Sequence, residues 1–187
     1  QWKAEPDFNG PLYDLCPHLI DQAIVLFGKP ARLLGRIERH RPASPVHDYV
    51  RLTLWYEDGL EVVLEVDQLD AFGGRRFALR GQLGGFEKQG FDPQEQRLAA
   101  GAFPVGPDWG REERSAWGKL RRLAGEKLEE ETSVETLPGD QRLFYQGVAA
   151  AISSGDPPPV TLEEVLWQVE IIEAALRSSQ TAQVVSL

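Results

Sequence analysis

Residues 48–69 consist of two alternating runs on either side of Asp58-Gly59. In the first, Val50, Leu52, Leu54 and Tyr56 alternate with Arg51, Thr53, Trp55 and Glu57. In the second, Leu60, Val62, Leu64 and Val66 alternate with Glu61, Val63, Glu65 and Asp67. A period of two sends alternate side chains to opposite faces of a strand. Asp-Gly between two such runs is the dipeptide that a tight hairpin turn favours, because glycine takes a positive φ at no steric cost. The segment therefore reads as an antiparallel hairpin with one apolar face to bury and one open face. The apolar face needs a cover, and helices gathered on one side of an antiparallel sheet make an α+β fold.

The flanking sequence supplies more strands and the helices. Residues 11–28 read as a helix, with Leu12, Leu15, Leu19, Ala23, Leu26 and Phe27 at a 3.6-residue period and Gly28 closing it. Pro17 fits only a first turn, so the regular part is expected to begin near Asp14. Residues 31–41 read as a strand, and 75–81 with 85–90 as a further hairpin around residues 82–84. A short helix is expected over 94–100, inside an otherwise irregular stretch, 91–114. Residues 115–137 admit a charged helix on Leu120, Leu123 and Leu128, but Gly118 and Gly125 fit a hairpin better. Residues 139–153 read as a helix with Leu143, Phe144, Val148 and Ile152 on one side. Beyond the prolines at 157–159, Thr161 and Glu164 form a capping-box pattern that opens a helix over 161–178, and 183–187 read as a closing strand. The order predicts an α+β fold in a single domain spanning 1–187: one open, largely antiparallel β-sheet with helices covering one face.

Composition narrows the partners. Twenty Lys and Arg against twenty-nine Asp and Glu give a formal net charge of −9, which argues against nucleic acid and against an anionic membrane surface. The longest apolar runs, 23–27 and 147–152, fall well short of the roughly 18 residues that a bilayer-spanning helix needs. The first ten residues contain no apolar stretch of the kind a secretory signal carries. The single cysteine, Cys16, leaves no internal disulfide or Cys-rich zinc site and suits a reducing compartment, so a cytoplasmic protein is expected. No Met occurs and the sequence begins at Gln1, so a preceding portion is expected upstream.

Asp14, His18 and Asp21 stand at i, i+4 and i+7, and so share one helix face opposite an aliphatic one. A carboxylate one turn from an imidazole orients the ring and holds up its pKa, which suits a general acid/base near neutral pH. Spacing alone leaves other readings open: Asp14 as a helix N-cap, His18 as a surface or satisfied core histidine, Asp21 as a solvated carboxylate, or all three as ligands of a divalent metal. A nucleophilic Cys16–His18 pair is disfavoured, because residues i and i+2 do not face each other on a helix. His40 and His47 lie on or beside strands with no evident partner.

The stretch GPLYDLCPHLIDQAIVLFGKP, residues 10–30, resembles the helix that opens the C-terminal domain of the Gfo/Idh/MocA family of NAD(P)-dependent oxidoreductases. The resemblance runs over nearly the whole chain. It includes the 56–60 hairpin, GQLGGFEKQGFDPQEQRLAAG at 81–101, PDWG at 107–110, LPGDQRLFYQGVAAAI at 137–152 and the terminal VVSL. The DPQEQ and DWG pieces are most similar to the NADP-linked scyllo-inositol dehydrogenase branch.

By this resemblance, His18 matches the family histidine that exchanges a proton with the reacting hydroxyl. Asp14 matches the aspartate that partners the site and helps hold the sugar or polyol, and Asp21 matches a frequent carboxylate taken as structural. Family members also carry an N-terminal Rossmann domain with a Gly-rich phosphate turn and a Glu-Lys-Pro motif supplying a catalytic lysine. Neither occurs here: Gly73-Gly74 and residues 81–85 do not spell G-x-G-x-x-G, and Gly28-Lys29-Pro30 sits at the end of a helix. The resemblance thus implies NAD or NADP bound mainly by an N-terminal domain outside this sequence, with no cofactor-binding and no metal-ligating residue within it. One position departs from the pattern. The residue between Asp and His, commonly Gly, is Cys16, where a side chain would crowd the nicotinamide or substrate.

The implied function is the substrate-binding and dimerisation half of an NAD(P)-dependent dehydrogenase of sugars or inositol-like polyols. A non-catalytic interaction or dimerisation module derived from the family is the alternative. The open sheet face is expected to carry homo-oligomer contacts through Arg51, Thr53, Trp55, Glu61, Val63, Glu65, Arg76, Ala78 and Arg80. Trp55 and Val63 would be its apolar anchors. Arg51, Arg76 and Arg80 would pair with Glu61 and Glu65 of a two-fold-related copy.

Overall fold

The computed structural model describes residues 10–187, so the N-terminal stretch 1–9 lies outside the described residues. In chain order the elements are α1 (Pro11–Asp14), α2 (Cys16–Phe27), β1 (Arg32–Glu38), β2 (Tyr49–Trp55), β3 (Glu61–Asp67), β4 (Phe77–Gly81), β5 (Gly84–Lys88), α3 (Pro93–Ala99), β6 (Gly118–Ala124), β7 (Lys127–Val134), α4 (Arg142–Ser154), α5 (Leu162–Thr181) and β8 (Val185–Ser186). The architecture is α+β with antiparallel sheets. The strands divide between two four-stranded sheets, β3-β2-β1-β8 and β4-β5-β6-β7, where the alternation pattern suggested one. Alternation reports that a strand has an inner and an outer face, but not which strand lies beside it. The contacts group accordingly into two units, residues up to 71 with 160–187, and residues 72–159.

In the first unit the Asp-Gly hairpin forms as its sequence predicts. Its loop is three residues, 57–59, with Gly59 at φ 87° and the Asp58 carboxylate accepting from the Leu60 amide at 3.0 Å. Register with β1 lines up three cross-strand rows on the covered face: Leu33–Leu54–Val62, Gly35–Leu52–Leu64 and Ile37–Val50–Val66. Leu12, Cys16, Ile20, Ala23 and Ile24 of α1 and α2 join Ile171, Ile172, Ala174 and Ala175 of α5 over these rows in one core. Each fully buried aliphatic side chain there contributes about 2 kcal/mol. The capping box opens α5, with the Glu164 amide donating to the Thr161 hydroxyl at 3.2 Å and the Thr161 amide to the Glu164 carboxylate at 2.8 Å. Strand β8 covers β1 only at Arg32 and Leu33. Farther along that edge, serine hydroxyls of α5 take the amides: Gly35 N–H donates to Ser178 Oγ at 2.9 Å and Ile37 N–H to Ser179 Oγ at 3.1 Å.

The helix expected over 11–28 is two helices, and Pro17 is the cause. Proline has no N–H for the Tyr13 carbonyl, and its ring crowds that carbonyl. The chain breaks at Leu15 and restarts with Pro17 in the first turn of α2. The buried stripe also differs from the expected one. Leu15 and Leu26 are 38% and 57% exposed, while Cys16, Ile20 and Ile24 face the core. Residues 19–27 are apolar on two faces, so periodicity alone left the choice of face open.

The second unit contains both remaining hairpins, β4–β5 and β6–β7, and the 115–137 segment is the hairpin its glycines favour. Buried Gln94 ties this unit's loops together. Its side-chain amide donates to Asp92, and its carbonyl accepts from the Gln141 amide at 2.9 Å. Arg97 donates to the carbonyls of Asp108, Trp109 and Arg111 and lies over the Trp109 ring. The DPQEQ and DWG motifs are thereby accounted for as scaffolding. Lys88 reaches both Glu112 oxygens, at 3.0 and 2.7 Å, and the Ala116 carbonyl at 2.9 Å, with the two side chains only 11% and 7% exposed. The apolar side expected of α4 is not a core face: no residue of that helix is buried, and Ile152 is 82% exposed. Among the described residues, no helix is long and apolar enough to cross a membrane.

Candidate active site

The start of α1 is a backbone problem solved by a distant side chain. Gly10 occupies the N-cap at φ 93°, so it brings no capping oxygen, and Pro11 follows with no amide. The Tyr13 and Asp14 amides both donate to the Gly10 carbonyl at 3.1 Å. The Leu12 amide instead donates to Nε2 of His47, at 3.0 Å, from the loop between β1 and β2. A Cβ on Gly10 would lie 2.9 Å from that imidazole, so glycine leaves room for the ring as well as for the turn.

The loop carrying His47 is itself pinned. Asp48, fully buried, accepts from the His40 amide at 2.7 Å and from the Arg41 amide and guanidinium at 3.0 Å each. The His40 amide bond, with the two bonds from Arg41, outweighs burial and holds the Asp48 carboxyl down to about 2. Burial pushes His47 below its ordinary value, against the opposing pull of Asp48. His40 also has a partner: its Nε2 lies 2.9 Å from Glu38, and its ring stacks on Tyr49.

Asp14 and His18 are both exposed, one at the end of α1 and the other in the first turn of α2. Asp21 does not join them. It accepts from Gln168 of α5 at 2.9 Å and so ties two helices together. Among the described residues no group of three or more His, Cys, Asp or Glu side chains is placed to hold a metal ion. Cys16 is 1% exposed and points into the core, and burial pushes its thiol up to about 12. It therefore neither pairs with His18 as a nucleophile nor crowds the outer face, in contrast to what its place in the motif suggested.

On the open face of the first sheet, the charges expected to pair across a two-fold are paired within the chain. Arg51 donates to Glu65 at 2.9 Å, the Trp55 indole donates to Glu61 at 2.8 Å, and Arg32 lies over the Trp55 ring. Ala78 and Arg80 belong to the other sheet, and Arg76 precedes its first strand. His47 is the residue that sequence reasoning missed. The signal was there: a helix entered through Gly-Pro has no capping side chain of its own and must borrow an acceptor.

Comparison with known proteins agrees with this architecture. The family profile described as oxidoreductase family, C-terminal alpha/beta domain, matches residues 1–187. The chain is 34% identical over 188 residues to the scyllo-inositol 2-dehydrogenase (NADP(+)) IolW of Bacillus subtilis (strain 168), across 100% of this chain and 52% of IolW. It is 35% identical over 172 residues to the uncharacterized oxidoreductase YdgJ of Escherichia coli (strain K12), across 92% of this chain and 49% of YdgJ. The solved structure of yvaA from Bacillus subtilis superposes with a TM-score of 0.91 at 32% identity, covering 98% of this chain and 52% of that one. The chain thus spans about half the length of the curated relatives it matches. With the family profile matching the full sequence and a solved member superposing over nearly all of it, the chain belongs to the Gfo/Idh/MocA oxidoreductase family and corresponds to its C-terminal α/β domain.

Proposed function

We propose that this chain is the substrate-binding and dimerisation half of a cytoplasmic NAD(P)-dependent dehydrogenase of sugars or inositol-like polyols. His18 is its general acid/base, and Asp14 is the carboxylate that partners the site. One observation carries the reading: α1 and α2 bury Leu12, Cys16 and Ile20 on one side while exposing Asp14 and His18, so the pair stands on a rigid support and faces outward. A hydroxyl whose carbon gives up hydride must also give up its proton, and the exposed His18 imidazole is the group here placed to take it. In the oxidation direction the O–H proton passes to a ring nitrogen of His18 as the carbonyl forms, and it returns by the same route in reduction. The described residues do not fit a dinucleotide: they contain no glycine-rich phosphate turn opening a helix, and this chain's contribution is the proton and the grip on the polyol. A nicotinamide held elsewhere in the intact enzyme would supply the hydride chemistry. The relative IolW, a scyllo-inositol 2-dehydrogenase (NADP(+)), favours NADP and a cyclic polyol here.

In the intact enzyme, with scyllo-inositol and NADP as the probe pair, His18→Ala is expected to lower turnover by about 10² to 10⁴ while NADP affinity survives. Asp14→Asn is expected to shift the pH profile as well as the rate. Wild-type turnover in His18→Ala would refute the assignment. For the oligomer, light scattering is expected to show a dimer that Trp55→Glu dissociates with its circular dichroism intact. A monomer at tens of micromolar, indifferent to that substitution, would refute the dimer face.

A further inference from the structure

We infer that His47 is a positioning residue for the Asp14/His18 pair, its imidazole standing in for the capping side chain that Gly10 cannot supply at the start of α1; the inference rests on the proposed role of that pair. The geometry is specific. Of the four residues in α1, Pro11 has no amide and the next three donate to His47, Gly10 and Gly10 in turn. Among the described residues, His47 Nε2 is the side-chain acceptor for a helix of one turn, too short to hold itself together in water. Asp14 is the last residue of that turn, and the broken joint at Leu15 leads directly into the turn carrying His18. Loss of the acceptor frees the end of the element that sets where the carboxylate stands.

The bond requires a neutral ring with its proton on Nδ1, because an imidazolium has no lone pair for the Leu12 amide. A cation there would also meet the positive end of the helix. Among the described residues the charged group that bears on His47 is Asp48, from the same loop; α1 presents it the Leu12 amide and the backbone of Gly10. Asp48 favours protonation but is spoken for by the His40 and Arg41 amides and the Arg41 guanidinium. With its folded value below 6.5, His47 adds stability that is complete above pH 6.5 and declines as pH falls from there towards the folded value. Opening of the cap becomes easier over the same window because the freed ring takes a proton, while the capped ring itself stays neutral until pH reaches the folded value.

The test is hydrogen exchange by mass spectrometry on residues 10–15 of the intact protein, corrected for intrinsic exchange, alongside turnover of scyllo-inositol with NADP. His47→Ala is expected to lose protection in residues 10–15 at least tenfold while α5 keeps its own. Turnover is expected to fall about ten- to a hundredfold, the scale of a misplaced reacting group. His47→Gln, whose amide oxygen reaches the Nε2 position without titrating, is expected to restore both. It should also abolish the loss of protection that the wild type shows between pH 7 and 5. Unchanged exchange in His47→Ala, or no rescue by a folded His47→Gln, overturns the inference. If His18→Ala leaves turnover unchanged, the reading of the pair falls instead, whatever the exchange shows. Exchange in the wild type across that pH range needs no variant, and a flat profile also counts against the cap.

Discussion

Replacing Cys16 by Gly, the residue common at this place in the family, separates two pictures of the motif. In one, the side chain stands against the substrate and its removal relieves a clash. In the structure it is 1% exposed among Leu12, Ile20 and the sheet. Removing the buried Cβ and Sγ forfeits about 1.5 kcal/mol of transfer free energy. The small cavity left behind adds about 0.5 kcal/mol, and glycine's extra chain entropy in a helix about 0.7 kcal/mol. Cys16→Gly is therefore expected to cost close to 3 kcal/mol, a fall in Tm of about 6–12 °C for a chain of this size. Cys16→Ala should cost roughly half as much. Calorimetry with urea titration measures the loss, and Ellman's reagent reads the wild-type thiol, which should react only as the fold opens. An unchanged Tm in Cys16→Gly, or higher turnover with no loss of stability, would show that the thiol faces the site.

The second unit offers an independent check: Lys88→Ala leaves Glu112, 7% exposed, without its cation, and should destabilise by about 3 kcal/mol in urea. The double replacement Lys88→Met with Glu112→Leu should recover most of that loss. For Asp48 the sign is the same as for His47, in a more acid window. Its carboxyl is held down to about 2, so its contribution is complete above the usual value near 4 and is lost as pH falls through 2. Asp48→Asn should flatten the acid limb of stability between pH 4 and 2 as followed by circular dichroism; an unchanged acid limb would mean that the His40 and Arg41 bonds do not form in solution.

What could be read from the sequence was what depends on neighbours in the chain. The Asp58-Gly59 hairpin, the glycine-bounded hairpin at 115–137 and the Thr161/Glu164 box are local, and all three form. Asp14 and His18 are both exposed, as their spacing opposite an aliphatic face suggested, but the break at Leu15 puts them on separate helices, so an i, i+4 relation within one continuous helix does not hold. What failed depends on tertiary partners. Leu15 and Leu26 looked like core because α2 is apolar on two faces, and only the rows of β1–β3 decide which face is inside. The partition of eight strands into two sheets has no local signature, since alternation gives a strand two faces but does not name its neighbour. His47 lies 35 residues from the amide it serves. A missing N-cap says that an acceptor is needed but not where it comes from.

The open face of the first sheet bears on the proposed dimer in a way that residue type alone did not reveal. Its cross-strand rows are Arg32–Trp55–Glu61, Leu34–Thr53–Val63 and Arg36–Arg51–Glu65. The middle row is a short apolar band, with Leu34 and Val63 both exposed, and the rows beside it carry the charges. Apolar centre and polar rim are the ordinary anatomy of an interface. Arg51 and Glu65 satisfy each other across β2 and β3, but both are nearly half exposed, and such pairs contribute little, about 0–1 kcal/mol. Exchanging that pairing for one across a two-fold axis therefore changes the energy little in either direction. In the proposed dimer the charges would set orientation and encounter rate, while Leu34 and Val63 would supply most of the affinity. Salt should accordingly slow association while leaving most of the affinity in place, which is the behaviour of an interface held at its middle row.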